Sequence, residues 1–421
     1  MAMVIAATRI FPTLPHGRIV RGFLALAAMC LLAGHTRAED AAPPTLFGSW
    51  GGLRDNATAN GLDVEAVITT DVLGVVSGGV DTGFEAPFNF DLIFSLDTGT
   101  AGWWQNGTFS VYFLGNAGGD PSTHAGDLQV SSSIEAPNTF KVYEAWYEHR
   151  FFDNRVNWLV GLRNLNAEFY VSEHAGLFLN SSFGTGRDLS QTHVSVFPVT
   201  TFGTRIKIDT SAQTYIQAAA FDGVPGDPND PYGTHVQFEH GDGVFYIGEG
   251  GLHNADGAYY KVALGGWYST AHFDDFAGVS RQANSGIYLI GETDLFRHED
   301  GRGLGVFTQL GLADGDRNQT GTYVGAGVTW TGPLAARPAD VAGIAMAHAR
   351  NTDDFRSFNP GFKRKFSPLM STRMACAAIA TENEFIRALG QSNTYRISGD
   401  TLLLFSAANT PVARLEAVYL H

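Results

Sequence analysis

The chain is short of the residues that several classes of protein depend on. Only two of its 421 residues are cysteine, Cys30 and Cys376. Cys30 falls inside an N-terminal stretch that reads as a secretory signal, so cleavage would leave Cys376 alone, without an intrachain disulfide or a cysteine-based metal site. Met29, just ahead of Cys30, is not the small residue that a lipid-attachment site wants. No apolar run after the signal approaches the ~20 residues of a membrane-spanning helix, which excludes a helical membrane protein. Lys and Arg number 27 against 42 Asp and Glu, a formal charge of −15, so no basic face is expected for nucleic acid. A G-x-S-x-G nucleophile elbow is lacking, and no two histidines stand at helical metal spacing beside an acid. Neither an enzyme nor a metal or other cofactor is therefore expected.

What is present points to strands. Residues 1–38 carry Arg18 and Arg21, an apolar run from Phe23 to Ala33, and Thr36-Arg37-Ala38 as a small-x-small cleavage site, which places the mature start near Glu39. Beyond Gly61, runs of about ten residues alternate apolar and polar and are parted by Gly, Asp, Asn and Pro clusters. Leu62, Val64, Ala66, Ile68 and Val72 oppose Asp63, Glu65, Thr69 and Asp71; Phe88, Phe90, Leu92, Phe94 and Leu96 oppose Asn89, Asp91, Ser95 and Asp97. Thirteen such runs are counted before Arg350. Fifty glycines, 12% aromatics and only 16% charged residues suit a sheet with one greasy and one wet face. A soluble β-sandwich makes the same alternation, but ten residues is the span of a tilted membrane strand, whereas soluble strands average nearer five or six. Trp103, Trp104, Tyr147, Trp158, Trp267 and Trp330 lie near run ends, as interfacial girdles would. Only the stretch from Asn166 to Ser182 breaks the alternation, which makes it a candidate for a short helix in a loop folded into the lumen.

Particular residues then narrow the class. Phe47-Gly48-Ser49-Trp50-Gly51-Gly52-Leu53-Arg54, Val142-Tyr143-Glu144-Ala145-Trp146, Val160-Gly161-Leu162-Arg163-Asn164-Leu165-Asn166-Ala167-Glu168-Phe169 and Phe178-Leu179-Asn180-Ser181-Ser182-Phe183-Gly184 follow one another in order. Over about residues 45–350 this resembles the carbohydrate-selective porin family, OprB. The resemblance implies an all-β fold, a sixteen-stranded antiparallel barrel in the bacterial outer membrane. It also implies a homotrimer as the usual assembly, outer-membrane lipid as surroundings, and passive diffusion of glucose and similar small sugars. Residues 39–350 would form this barrel, here short of the family's strand count.

Uncharged sugars offer hydroxyls and a weakly apolar ring face, so a selective channel needs charged hydrogen-bonding groups and aromatics at its narrowest point. Glu144, Trp146, Glu148 and Arg150 share one parity, and Arg155, Asn157 and Arg163 oppose Val156, Trp158, Val160 and Leu162. If the apolar side meets lipid, the charges line the lumen. Glu144, Trp146, Arg163, Glu168, Arg187 and Arg205 are the candidate lumen or constriction residues, with Arg54 near the periplasmic mouth. An alternative role for the same charges is to neutralise one another across the wall, holding strands and an inward loop in place.

After Arg350 the alternation stops. Residues 351–364 read as a linker, with Lys363-Arg364-Lys365 at its end. In residues 365–421, Ser371-Thr372-Arg373-Met374-Ala375-Cys376, Tyr395-Arg396-Ile397 and Gly399-Asp400-Thr401-Leu402 resemble the C-terminal half of a META domain, a small α+β unit. An odd strand count cannot close an all-antiparallel sheet. Either the tail donates strands to the seam, or a truncated, poorly assembling porin is fused to half a domain. A barrel enzyme and an interaction module built on the tail are the remaining classes.

Overall fold

The computed structural model describes residues 49–359 except 193, 228–229, 235, 237, 239–240, 255–258 and 334–337, together with the backbone of short strands at 3–8, 374–375, 392–398, 401–406 and 411–416. A helix, α1 (Leu53–Ala59), precedes thirteen long strands: β1 (Leu62–Ser77), β2 (Phe88–Asp97), β3 (Gly107–Ala117), β4 (Thr139–Phe151), β5 (Val156–Arg163), β6 (Thr201–Asp209), β7 (Thr214–Asp222), β8 (Val244–Asn254), β9 (Tyr260–Asp274), β10 (Ser280–Arg297), β11 (Gly303–Ala313), β12 (Thr320–Thr331) and β13 (Val341–Asn351). Each pairs antiparallel with its neighbour in sequence, so the strand order is the chain order. All three of the longest connections, 118–138, 164–200 and 223–243, emerge from the same end of the sheet. By the usual asymmetry of outer-membrane barrels that end faces the medium, and the end of short turns, with α1, faces the periplasm.

Burial along the strands is inverted relative to a soluble sheet. On β7, Tyr215, Gln217, Ala219 and Phe221 are buried, and the alternate residue Ile216 is exposed. The exposed set continues sideways through Ile206, Tyr246, Leu264, Ile287, Leu310, Val328 and Ile344, a continuous apolar belt. Buried Glu144, Arg205, Gln217, Glu249, Glu292 and Gln309 point the other way. Water would oppose that belt and hydrocarbon accommodates it. The thirteen strands, with residues 374–375 paired on β13 as a fourteenth, are thus an antiparallel transmembrane wall, in accord with the expected fold class. Leu264, 60% exposed in the middle of the belt, offers a direct check. Leu264→Arg should destabilise the protein by about 2–4 kcal/mol in lipid vesicles relative to Leu264→Ala, measured by urea unfolding.

The expected girdle is present at the turn end: Trp104 donates to the Tyr147 hydroxyl at 2.7 Å, Trp103 lies 5.7 Å from Trp104, and Trp158 and Trp330 are exposed beside the neighbouring turns. Trp267 corrects that expectation. It is 3% exposed and stacks on Phe245 at 5.9 Å, on the inward parity with Ala263. Leu162 corrects another. Although it shares the outward parity of Trp158, it is 5% exposed; its cross-strand partner Phe202 meets Phe238 edge-on, where the 223–243 connection overlies the wall.

Inward apolar residues on β7 to β13 are explained by what fills the lumen. Residues 164–200 fold against the inner face as short turns of 3-10 helix and a one-turn helix, Arg187–Ser190. Leu165, Phe169, Tyr170, Leu189 and Val194 pack on Phe221, Phe245, Ile247, Trp267, Tyr288 and Ile290. Phe178 and Phe183 pack on Phe307, Tyr323 and Ala345. The irregular sequence stretch is therefore an inward loop, longer than its 166–182 signal. Glycines on the wall make room for inward rings: a Cβ at Gly265 would strike the Tyr288 ring, and one at Gly251 would strike the Tyr215 ring.

Among the described residues β1 and β13 are not paired with each other, so the sheet is not closed. Thirteen consecutive antiparallel strands leave the first and last pointing the same way, and an odd number of further strands must lie between them in an antiparallel barrel. Strands 392–398, 401–406 and 411–416 form a separate three-stranded meander.

Candidate functional site

Five of the seven candidate lining residues meet in one network where the inward loop leaves β5. A β-bulge at Tyr143, which has no cross-strand partner in the β3–β4 register, lets Glu144 face inward opposite Tyr112. Arg163, the last residue of β5, holds Glu144 Oε2 at 2.7 Å and Glu168 Oε1 at 2.9 Å. Arg205 on β6 holds Glu148 Oε2 at 2.8 Å and Glu168 Oε2 at 3.2 Å. Trp146 donates its indole N–H to Glu144 at 3.1 Å, and the Arg163 guanidinium lies 4.9 Å over its ring. The Asn164 amide donates to the second Glu144 oxygen at 2.9 Å.

The chemistry of this arrangement is charge matching at a junction. Glu168 belongs to the loop, while both of its arginine partners belong to the wall. Burying such charges is tolerable because nearly every oxygen has a charged or polar donor. Gln217 on β7 extends the join, donating to the Glu168 carbonyl at 2.8 Å. Nearer the turn end, on the inner face of β2 to β4, Arg150 lies 3.7 Å from Asp97 and bonds Thr108 at 3.1 Å. Asp63 and Glu65 stand exposed on the same inner parity.

Arg187 and Arg54 lie elsewhere. Arg187 opens the one-turn helix of the inward loop, where burial lowers its pKa from the ordinary arginine value. Arg54 is half-buried on α1 at the end of short turns. Neither has a bond to the five-residue network among the described contacts.

The sequence reading missed a second set of inward carboxylates. Glu249 on β8 accepts from the Tyr170 amide at 3.2 Å, Tyr215 OH at 2.8 Å, Gln217 at 3.0 Å and Tyr288 OH at 2.7 Å. Glu292 on β10 accepts from Ser172 OH at 2.8 Å, Tyr259 OH at 2.7 Å, and the amides of Glu173 and His174 at 3.2 and 3.0 Å. Both acids anchor the start of the inward loop. Glu249 stands between two glycines in a strand, a weak signal of something large crossing the wall there. Only the position of the loop gives it a partner.

A tall strand wall with an exposed apolar belt, a polar inner face and a loop folded into its interior defines an outer-membrane porin. Residues 88–364 match the carbohydrate-selective porin family, OprB, and residues 359–419 match the META domain. The chain belongs to the carbohydrate-selective porin family, an outer-membrane family of channels rather than enzymes. It is 24% identical to Porin B of Pseudomonas aeruginosa over 392 residues, covering 82% of each chain. A solved structure of Pseudomonas putida OprB at high pH superposes with a TM-score of 0.67 at 20% identity, covering 79% of this chain and 87% of that one, which supports the fold.

Proposed function

We propose that the protein passes small uncharged sugars such as glucose by diffusion along the β1 to β5 side of its lumen. The narrowest point would be lined by Glu144, Trp146, Arg163, Glu168 and Arg205, with Arg187 and Arg54 flanking the path. The observation that carries this reading is the charged, aromatic junction between loop and wall. Paired charges offer donors and acceptors to sugar hydroxyls, and Trp146 offers a face to the apolar side of a ring. Pores embedded in outer-membrane lipid and grouped as homotrimers, after removal of residues 1–38, would be the working form.

Single-channel conductance with glucose as blocker tests this. Loss of one charged hydrogen bond, about 1.5–3 kcal/mol, should raise the half-blocking glucose concentration about tenfold or more in Glu144→Ala and in Arg163→Ala. Unchanged sugar affinity in both variants would remove these residues from the site.

A second reading rests on the unclosed seam. β1 and β13 run the same way, and the META-like meander offers three strands of only six or seven residues, short of the ~9–11 that cross a bilayer. On this reading the barrel gives way to residues 365–421 before closure, the product is a truncated porin with a fused half domain, and it assembles poorly. Outer-membrane fractionation with heat-modifiable gel mobility separates the two readings.

A further inference from the structure

The inward loop is not alone in the lumen. The 118–138 connection also turns inward, and the two are bonded to each other: the Ser133 amide to the Leu179 carbonyl at 2.6 Å, the Ser181 amide to Val130 at 3.1 Å, and Gln129 to Thr185 at 2.9 Å. Ser132 then reaches Asp71 on β1 at 2.7 Å. Together the two loops run from β1 across to β13.

Each loop carries a group whose surroundings favour its protonated form, by paired carboxylates at one and by burial at the other. In the 118–138 loop, His124 lies on the short strand Gly83–Glu85, with Nδ1 at 2.5 Å from Asp81 and Nε2 at 3.2 Å from Glu85. A neutral imidazole has one N–H, so both ring nitrogens can donate to carboxylates only in the imidazolium. In the 164–200 loop, Asp188 is 0% exposed. Its Oδ1 accepts from Tyr170 OH at 3.2 Å, and its Oδ2 is buried without a partner. The wall opposite supplies Gly311, where a Cβ would strike the carboxyl, and Tyr323. The Tyr170 hydroxyl and the backbone amides of Asp188 and Leu189 favour its ionised form, but among the described contacts no cation faces the carboxyl, and burial outweighs those donors.

We propose that the two loops form a proton-controlled plug, docked while His124 and Asp188 carry protons and released as both lose them. The sign is the same at both sites. Burial pushes the Asp188 carboxyl up to about 7 from an ordinary value of 3.8. Its share of the docking free energy is fully present below the ordinary value and lost as pH rises through about 7. The hydrogen bonds of Asp81 and then Glu85 raise the His124 pKa above 6.5. Its share is fully present below pH 6.5 and lost as pH climbs through the raised value. Each group can lower the ratio of docked to released loops by up to about tenfold per pH unit within its window.

The effect on permeation rests on the pore reading, whereas docking does not. The test is a distance measurement on the full chain in lipid vesicles. Cys30 and Cys376 are replaced by serine, and nitroxide labels are placed at Leu128→Cys and Gly184→Cys, both exposed positions on the two loops. One narrow label-to-label distance is expected at pH 5 and a broad distribution at pH 9. Adding Asp188→Asn should keep the distance narrow through pH 7, and His124→Gln should broaden it already at pH 5. Identical distributions at pH 5 and pH 9 overturn the proposal, a comparison that needs no Asp188 or His124 variant to fold. Broadening that brings no rise in bilayer conductance leaves the plug standing and counts against the pore.

Discussion

Arg205→Ala should destabilise the protein by about 3–5 kcal/mol, because it strips a cation from between two carboxylates in a buried setting. Arg205 is 4% exposed, and it links Glu148 on β4 to Glu168 on the inward loop. After the change Glu168 keeps only Arg163, and Glu148 loses its bonded partner. The cost is mostly that of the stranded acids, not the intrinsic worth of the pair. Glu148→Ala added to Arg205→Ala should therefore recover part of the loss, as a double-mutant cycle would show. Urea unfolding in vesicles reads the effect. A loss below 1 kcal/mol would mean that the junction is solvated and that the charges are not a clamp.

Glu249→Ala should release the inward loop more than any change to the loop itself. Four donors converge on this carboxylate, and each buried group left unpaired costs about 1–3 kcal/mol. Water entering the vacated space offsets part of that sum, which leaves a net loss of about 3–4 kcal/mol. The open form of residues 164–200 would then be populated about a hundred- to a thousandfold more. Limited proteolysis of the folded protein in detergent, scored for cuts between 164 and 200, measures this. Glu249→Gln should do nearly as much harm, since a carboxamide offers one acceptor oxygen where the donors use two. Wild-type resistance in both variants would show that the apolar packing of Phe169, Tyr170 and Leu189 holds the loop unaided.

The strands were legible because a period of two survives in any sheet with two unlike faces. The run at Leu62 to Val72 and the run at Phe88 to Asp97 became β1 and β2 with the expected parity. The same rule failed at Trp267 and Leu162, and for one reason. Pattern reading assumes that each face meets a single solvent, but the inward loop covers Trp267 and Phe238 of the 223–243 connection packs on Phe202, the cross-strand partner of Leu162. Of the candidate site residues, Glu144, Trp146, Arg163 and Glu168 share a short stretch of sequence, and parity alone grouped the strand members. Glu249, Glu292 and Asp188 were not recoverable, since what marks each is a partner more than fifteen residues away in the chain.

By itself the sequence determined the class of protein: a period of two over ten-residue runs, with no long apolar helix, admits a wall with a wet and a greasy side. Tertiary structure decided which side was which, where the lumen is filled, and which charges meet. Alternation is a local property that one strand can carry alone, whereas burial and pairing depend on the loops that come back across the sheet, and their paths are fixed only when the whole wall is in place.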